Sequence, residues 1–445
     1  MFSWNPVLAS TLLLLGVVSW VAGWRHLGAV GAVSAETVRR WVQVGAALSV
    51  VLAVHVVPRA GMLYVAATLV PLVSFYVTTR LGGQHRWTWL MGAVPGSLAL
   101  LVLLPFCWEY TGDGGWIPGV TGAGSAVETF LLRRAVGIPD GAGMYALQAA
   151  FLLVAVADPM ATMVGRHRGT AEKSTSGSIG FFLVASVLLL SLNGVIALRY
   201  GLTDLDGSMA WAGVIVLAAA ATSAERVVAG RWDDFSIAIV TAASALLFAI
   251  FPDSFGDLLM AAVVGSLMAW LGFRYDMVTR RGATTVGLLT TFVWWIGGWP
   301  MVLPVLLTAL VTRGRTAVDL LSLHVVAWTS ATGIAFSGVA NTPGVLFFSA
   351  TLVSSCAAAA ASTRHSVPQQ AFLAGMIVAS SWWMLPTGVG PVAMLVLVVS
   401  GTLGAQVAGA LMRHRGEMVT ITGRNLICTF FGAFLGAIPV HFITF

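Results

Sequence analysis

Charge is scarce in this chain. Only 9% of its 445 residues are Asp, Glu, Lys or Arg, against roughly 25% in a soluble domain. Too little polar surface exists to cover a water-soluble fold of this size. Lysine is nearly missing: Lys173 is the single copy, and every other member of the Lys+Arg total of 23 is arginine. The basic residues fall in short loops as pairs (Arg39-Arg40, Arg133-Arg134, Arg280-Arg281). That pattern suits topology determination and headgroup contact and argues against nucleic-acid binding. Cysteine is rare as well. Cys107, Cys356 and Cys428 stand alone in or beside apolar runs, which excludes a disulfide framework or a Cys-rich metal site and leaves packing as their role. Acids run out after residue 277, with only Asp319 and Glu417 beyond it out of seventeen. Chemistry that needs clustered carboxylates must therefore draw on the first part of the chain, and a boundary is expected near 252–280.

What is abundant is hydrophobicity, at 58%. Continuous apolar runs lie near 5–24, 41–58, 61–79, 87–107, 143–164, 179–198, 210–226, 235–251, 256–273, 282–297, 299–312, 320–340, 344–362, 371–387, 389–412 and 425–443. Each approaches the roughly 17–25 residues that cross a bilayer core as helix. Lipid leaves only helices and closed barrels as spanning structures, and runs without alternation exclude the barrel. The expectation is an all-α polytopic membrane protein of about fourteen to sixteen transmembrane helices in two bundles, 1–252 and 253–445. The first run lacks a basic segment before it and is read as a retained helix, not a signal peptide. Many of the 17 Trp flank the runs, as interfacial belts require.

An ionisable residue beside a membrane span is costly and is a functional candidate by default. Most loop acids, such as Asp204, Asp206 and Asp253, read as solvated charge, and the Gly-rich connection 108–142 reads as an aqueous loop or a lid. The stretch DPMATMVGRHRGTAEKSTSGSIGFF, residues 158–182, is different. Asp158 closes an apolar run, a Gly165-Arg166-His167-Arg168-Gly169 turn follows, and Lys173-Ser174 precedes Gly177-Ser178 at the next span. Backbone N–H groups at a helix start attract anions, and a lysine adds a mobile point charge. A carboxylate can hold Mg²⁺ alongside substrate phosphates. The same stretch also fits a basic interfacial loop obeying the positive-inside rule.

A second cluster, ATSAERVVAGRWDDF (residues 221–235), ends another run with Glu225 and adds Asp233-Asp234. An even number of crossings between the two clusters permits them to share one face. Together they would supply three or four carboxylates, one Lys and several Arg, which is equipment for metal-assisted phosphoryl or nucleotidyl transfer.

These residues resemble the signature of the polyprenol kinase family, the membrane-embedded dolichol and phytol kinases. The 158–182 stretch is similar to its Asp, GR–G turn and Lys-Ser/Thr element. ETVRRWVQVG, residues 36–45, is similar to its N-terminal Glu-x-x-Arg-Lys-x-x-His element, and ATSAERVVAGRWDD to its later Ala-Thr-x-x-Glu…Gly-x-Asp-Asn element. The chain departs from the pattern where Gln43 stands for the usual His, Ser176 for Glu, and Asp234 for Asn. The resemblance implies a kinase that moves the γ-phosphoryl of a nucleoside triphosphate, typically CTP, with Mg²⁺, onto an isoprenoid alcohol. It implies Asp158, Lys173, Glu225 and Asp233 as catalytic residues. Gly165, Arg166, Arg168, Lys173, Ser174, Gly177 and Ser178 would bind nucleotide and phosphate, and Asp158, Glu225, Asp233 and Asp234 would hold the metal.

Residues 260–445 more loosely resemble the related family that contains the plant phytyl-phosphate kinases, through 281–300 and 421–437. The family's Asp-Thr-x-x-Ser-Glu element is replaced by AAAAASTRHS at 357–366. This half is expected to be a scaffold, a lipid-binding wall or a regulatory partner without catalytic acids of its own; Arg364, His365 and Arg424 remain candidates for an anionic headgroup or a product phosphate. A lipid-phosphate cytidylyltransferase and a lipid transporter or flippase are the alternative activities. The expected partners are an isoprenoid alcohol or its phosphate, a nucleoside triphosphate and membrane lipids, with no nucleic acid. The expected location is a bacterial inner membrane with the site on the cytoplasmic side.

Overall fold

A computed structural model describes residues 6–56, 63, 65–69, 95–101, 103–104, 142–165, 174–200, 207–227, 233–250 and 255–276. It also describes positions 283–284, 286–288, 290–291, 294, 302, 392, 395–396, 399–400, 403–404 and 407. Among the described residues the chain is helical, with no strand. Contacts divide it into two compact units, Met1–Ile250 and Phe251–Phe445. The 108–141 connection and the runs 299–312 (apart from residue 302), 320–340, 344–362, 371–387 and 425–443 lie outside the described residues. So do Asp204, Asp206, Asp253, Arg364, His365 and Arg424.

The first unit opens with a helical hairpin, α1 (Pro6–Ala29) and α2 (Ala35–Val56). Its turn is written locally. Ala32 N–H reaches back to the Leu27 carbonyl and Gly31 N–H to that of Gly28, the paired bonds of a Schellman end. Gly31 takes φ +73°, which a side chain would resist. Ser34 then caps α2 by accepting the Thr37 N–H at 3.2 Å. Three indoles clamp the hairpin: Trp24 stacks on Trp41 at 5.2 Å, and Trp20 meets both edge-on. The Trp20 indole N–H also donates to the Trp41 carbonyl at 2.7 Å. Trp20 lies against Gly45, where an added Cβ would stand 2.3 Å from the ring. Gly45→Ala is expected to push the indole away, break that bond and cost about 1–3 kcal/mol. Thermal melts of the detergent-purified protein check this, and an unchanged midpoint would contradict the clamp.

The remaining helices of this unit are α3 (Ala142–Leu152), a π turn (Leu153–Ala157), α4 (Asp158–Gly165), α5 (Thr175–Tyr200), α6 (Gly207–Val227) and α7 (Asp233–Ile250). The π turn has a local cause. Pro159 has no N–H to offer the Ala155 carbonyl, and its ring would collide with that carbonyl in a tight helix. One wider turn, closed by Asp158 N–H to the Leu153 carbonyl, relieves both. α7 is the central element: residues 234–245 are all buried, against α3 and α6. α2 packs on α3 and the π turn, and α5 on α4 and α6.

Among the described residues two helical stretches, Gly143–Gly165 and Thr175–Gly194, are long and apolar enough to cross a membrane. α5 is apolar on both sides. Phe181, Ala185 and Leu189 face inward, while Ile179, Leu183 and Val187 are more than half exposed. An aqueous surface helix would carry polar residues on that outer stripe.

In the second unit, α8 (Phe255–Arg274) repeats the pattern, with Leu259, Met260, Val263, Leu267 and Trp270 exposed. Its Gly265 touches Gly287, and the Thr291 hydroxyl donates to the Ala261 carbonyl at 3.3 Å and the Gly287 carbonyl at 2.8 Å. Small residues and a hydroxyl bridging two backbones are how helices pack without water to drive them together.

Candidate functional site

Four elements of the first unit meet around a small cavity of about 50 Å³. α2 lends Arg40, Gln43 and Val44; the π turn lends Val154. α4 contributes Asp158, Pro159 and Thr162, and the first residue of α7 is Asp233. The lining is mostly polar, in a bundle whose interior is mainly aliphatic and alanine-rich. A water needs roughly 10–15 Å³ of such space, so the cavity has room for an ion with a few ligating oxygens.

Each side chain is there for a local reason. Arg40 and Gln43 are one helical turn apart on α2 and share a face. Asp158 follows the π turn directly, and its own N–H closes that turn on the Leu153 carbonyl. Thr162 turns its hydroxyl back to the Asp158 carbonyl at 3.1 Å. Asp233 and Asp234 occupy the first turn of α7, where the helix dipole favours negative charge. Asp233 Oδ1 accepts the N–H of Asp234 at 3.1 Å. The Gln43 side-chain amide donates to Asp234 Oδ2, tying α2 to the start of α7.

The two sequence clusters also touch at a second point. Ser178 Oγ donates to Glu225 Oε2 at 3.4 Å, joining α5 to α6 with both side chains buried. Glu225 does not line the cavity that Asp158 and Asp233 share. Gly165 and Gly177 form the close crossing of α4 and α5: a Cβ on Gly177 would stand 3.0 Å from the Ala161 carbonyl. Ser174 is the cap of α5, accepting the Gly177 N–H at 3.0 Å. The amide and hydroxyl expected to cradle phosphate thus face each other in a helix cap. Arg166, Arg168 and Lys173 lie outside the described residues. Asp158 does not end its helix, as its place after an apolar run predicted, because the helix continues through Gly165.

Arg40, Gln43 and Thr162 were not among the expected site residues. The Arg39-Arg40 pair reads as a topology signal; the hints of another role are the likeness of residues 36–45 to a family element, with Gln43 at its His position, and the spacing of Arg40, Gln43 and Val44 on one helical face.

Among the described residues no three His, Cys, Asp or Glu side chains are grouped to enclose a metal ion. Two carboxylates on one polar cavity are a different kind of donor set. Mg²⁺ keeps most of its water and takes one or two carboxylates plus substrate phosphates, so Asp158 and Asp233 fit that ion and do not form a closed protein cage. No family model, curated protein or solved structure matches the chain.

Proposed function

We propose that this protein is a polytopic membrane kinase that transfers the γ-phosphoryl group of CTP or another nucleoside triphosphate to an isoprenoid alcohol. The observation that carries the reading is the shared cavity of Asp158, Asp233 and Arg40 among helices whose outer stripes are apolar. Long apolar helices and exposed aliphatic stripes suit a lipid-embedded acceptor; the polar cavity suits the charged end of the donor.

In this scheme Asp158 and Asp233 would hold Mg²⁺, which when bound would supply charge neutralisation at the triphosphate. Arg40 faces the same space and provides planar N–H donors to phosphate oxygens; Lys173 is assigned the same task from the sequence. The acceptor hydroxyl meets the γ-phosphorus in line. Its oxygen forms the new P–O bond as the bond to the departing nucleoside diphosphate breaks, and its proton passes to a carboxylate of the cavity. Little covalent work falls to the protein, so positioning and charge carry the rate. On this reading the base and ribose bind to residues around the cavity.

The test is label transfer. Purified full-length protein with Mg²⁺ and γ-labelled nucleotides would be offered phytol, geranylgeraniol and longer polyprenols. Labelled lipid together with nucleoside diphosphate is the expected product. Pyrophosphate release would identify a cytidylyltransferase instead, and no labelled lipid with any pair would overturn the kinase reading.

A further inference from the structure

Gln43 and Asp234 lie far apart in the sequence, and each departs from the kinase pattern that the surrounding residues resemble. In the fold they touch: the amide of one donates to the carboxylate of the other. From this contact we infer that the Gln43–Asp234 pair is a positioning strut that aims the Asp233 carboxylate into the cavity opposite Asp158. The assignment rests on reading that cavity as a cation and phosphate site.

The physical chain has three links. Asp234 is 2% exposed, and burying a carboxylate is costly unless donors surround its oxygens. Two features stabilise it there, the N-terminal end of α7 and the Gln43 amide. Because Asp234 sits in the first turn of α7, holding its side chain against α2 fixes how that turn is rotated. The second link is the backbone bond from Asp234 N–H to Asp233 Oδ1, which orients the neighbouring carboxylate directly. The third is the cavity, whose wall contains both Gln43 and Asp233. Groups that orient a metal-binding carboxylate from behind are typically worth 10–100-fold in metal affinity.

The paired departures have a chemical logic. An amide opposite a carboxylate keeps one donor facing one acceptor, as an imidazole opposite an amide would. Gln43→His alone would preserve that match, because an imidazole N–H also donates to a carboxylate, whereas Gln43→Leu removes the donor altogether. Gln43 and Asp234 therefore act as one unit.

Mn²⁺ binding to the detergent-solubilised full chain, followed by the loss of its free-ion paramagnetic resonance signal, tests the strut without reference to catalysis. Wild type is expected to bind Mn²⁺. Gln43→Leu, which keeps the bulk and removes the amide, is expected to weaken binding by about 10-fold or more. Gln43→His, which restores a donor, is expected to stay within about 3-fold of wild type, a recovery that a general packing defect would not give. Helical circular dichroism of each variant verifies that it is folded. Equal Mn²⁺ affinity in wild type and folded Gln43→Leu, or no binding by wild type, would overturn the proposal. The two readings fail separately: Mn²⁺ binding that depends on Gln43, with no labelled lipid, removes the kinase and leaves the strut. Labelled lipid with Mn²⁺ binding indifferent to Gln43 does the reverse.

Discussion

Asp158→Asn is expected to lower label transfer by at least about 10²-fold, the scale on which single preorganised electrostatic groups act in enzyme sites. The substitution keeps the size of the side chain and, because Asp158 sits inside a continuous helix, should keep the fold. What it removes is one of the two carboxylates on the cavity. On the proposed chemistry both ion binding and the drive for phosphoryl transfer fall together. Raising Mg²⁺ should recover part of the rate, since the Asp233 carboxylate remains. Steady-state rates over a Mg²⁺ series, alongside a thermal melt, are the measurements. A folded variant with wild-type turnover would remove Asp158 from the site and leave the cavity without a reason.

Gly265→Ala is expected to produce the largest stability loss of any single methyl addition considered. The new Cβ would lie 2.5 Å from the Gly287 carbonyl oxygen and 2.5 Å from Thr291 Oγ1. A backbone oxygen cannot rotate out of the way, so the two helices must separate, and the Thr291 hydroxyl loses its bridge. Overpacking of this kind costs about 1–3 kcal/mol and occasionally more. The internal control is Gly256→Ala on the same helix, where, among the described residues, no atom outside the glycine's own stretch of helix lies within 4 Å of the added methyl. Better helix propensity makes that change neutral or stabilising by up to about 1 kcal/mol. Thermal melts of the two variants should move apart; melts that coincide would contradict the close crossing.

Helix positions in the first unit are legible because apolar run length is a strong signal. The run at 179–198 lies inside α5, and those at 210–226 and 256–273 lie inside α6 and α8. The helix starts are less legible, and for one reason. First turns here are polar: Glu36 to Arg40 in α2, Ser176 in α5 and Asp233-Asp234 in α7. A reading based on hydrophobicity begins each helix after the residues that carry the chemistry. The site was legible in part. Asp158 and Asp233 stand out as acids beside apolar runs, and they do line one cavity. Ser174 and Gly177 have the composition of a phosphate loop, yet the same residue types make a helix cap, and only geometry separates the two. Arg40 and Gln43 escaped because their contribution depends on which helix α2 packs against, a long-range fact that local spacing does not contain.

The bulge at Leu153–Ala157 has a consequence for how this chain can vary. The wide turn absorbs its extra residue, so a chain one residue shorter between Leu152 and Pro159 would close to a regular helical turn and leave Asp158 facing nearly the same way. What such a deletion would bring back is the collision of the Pro159 ring with the carbonyl one turn before it. Length and proline are therefore tied: the stretch can lose a residue only if it also loses the ring that follows.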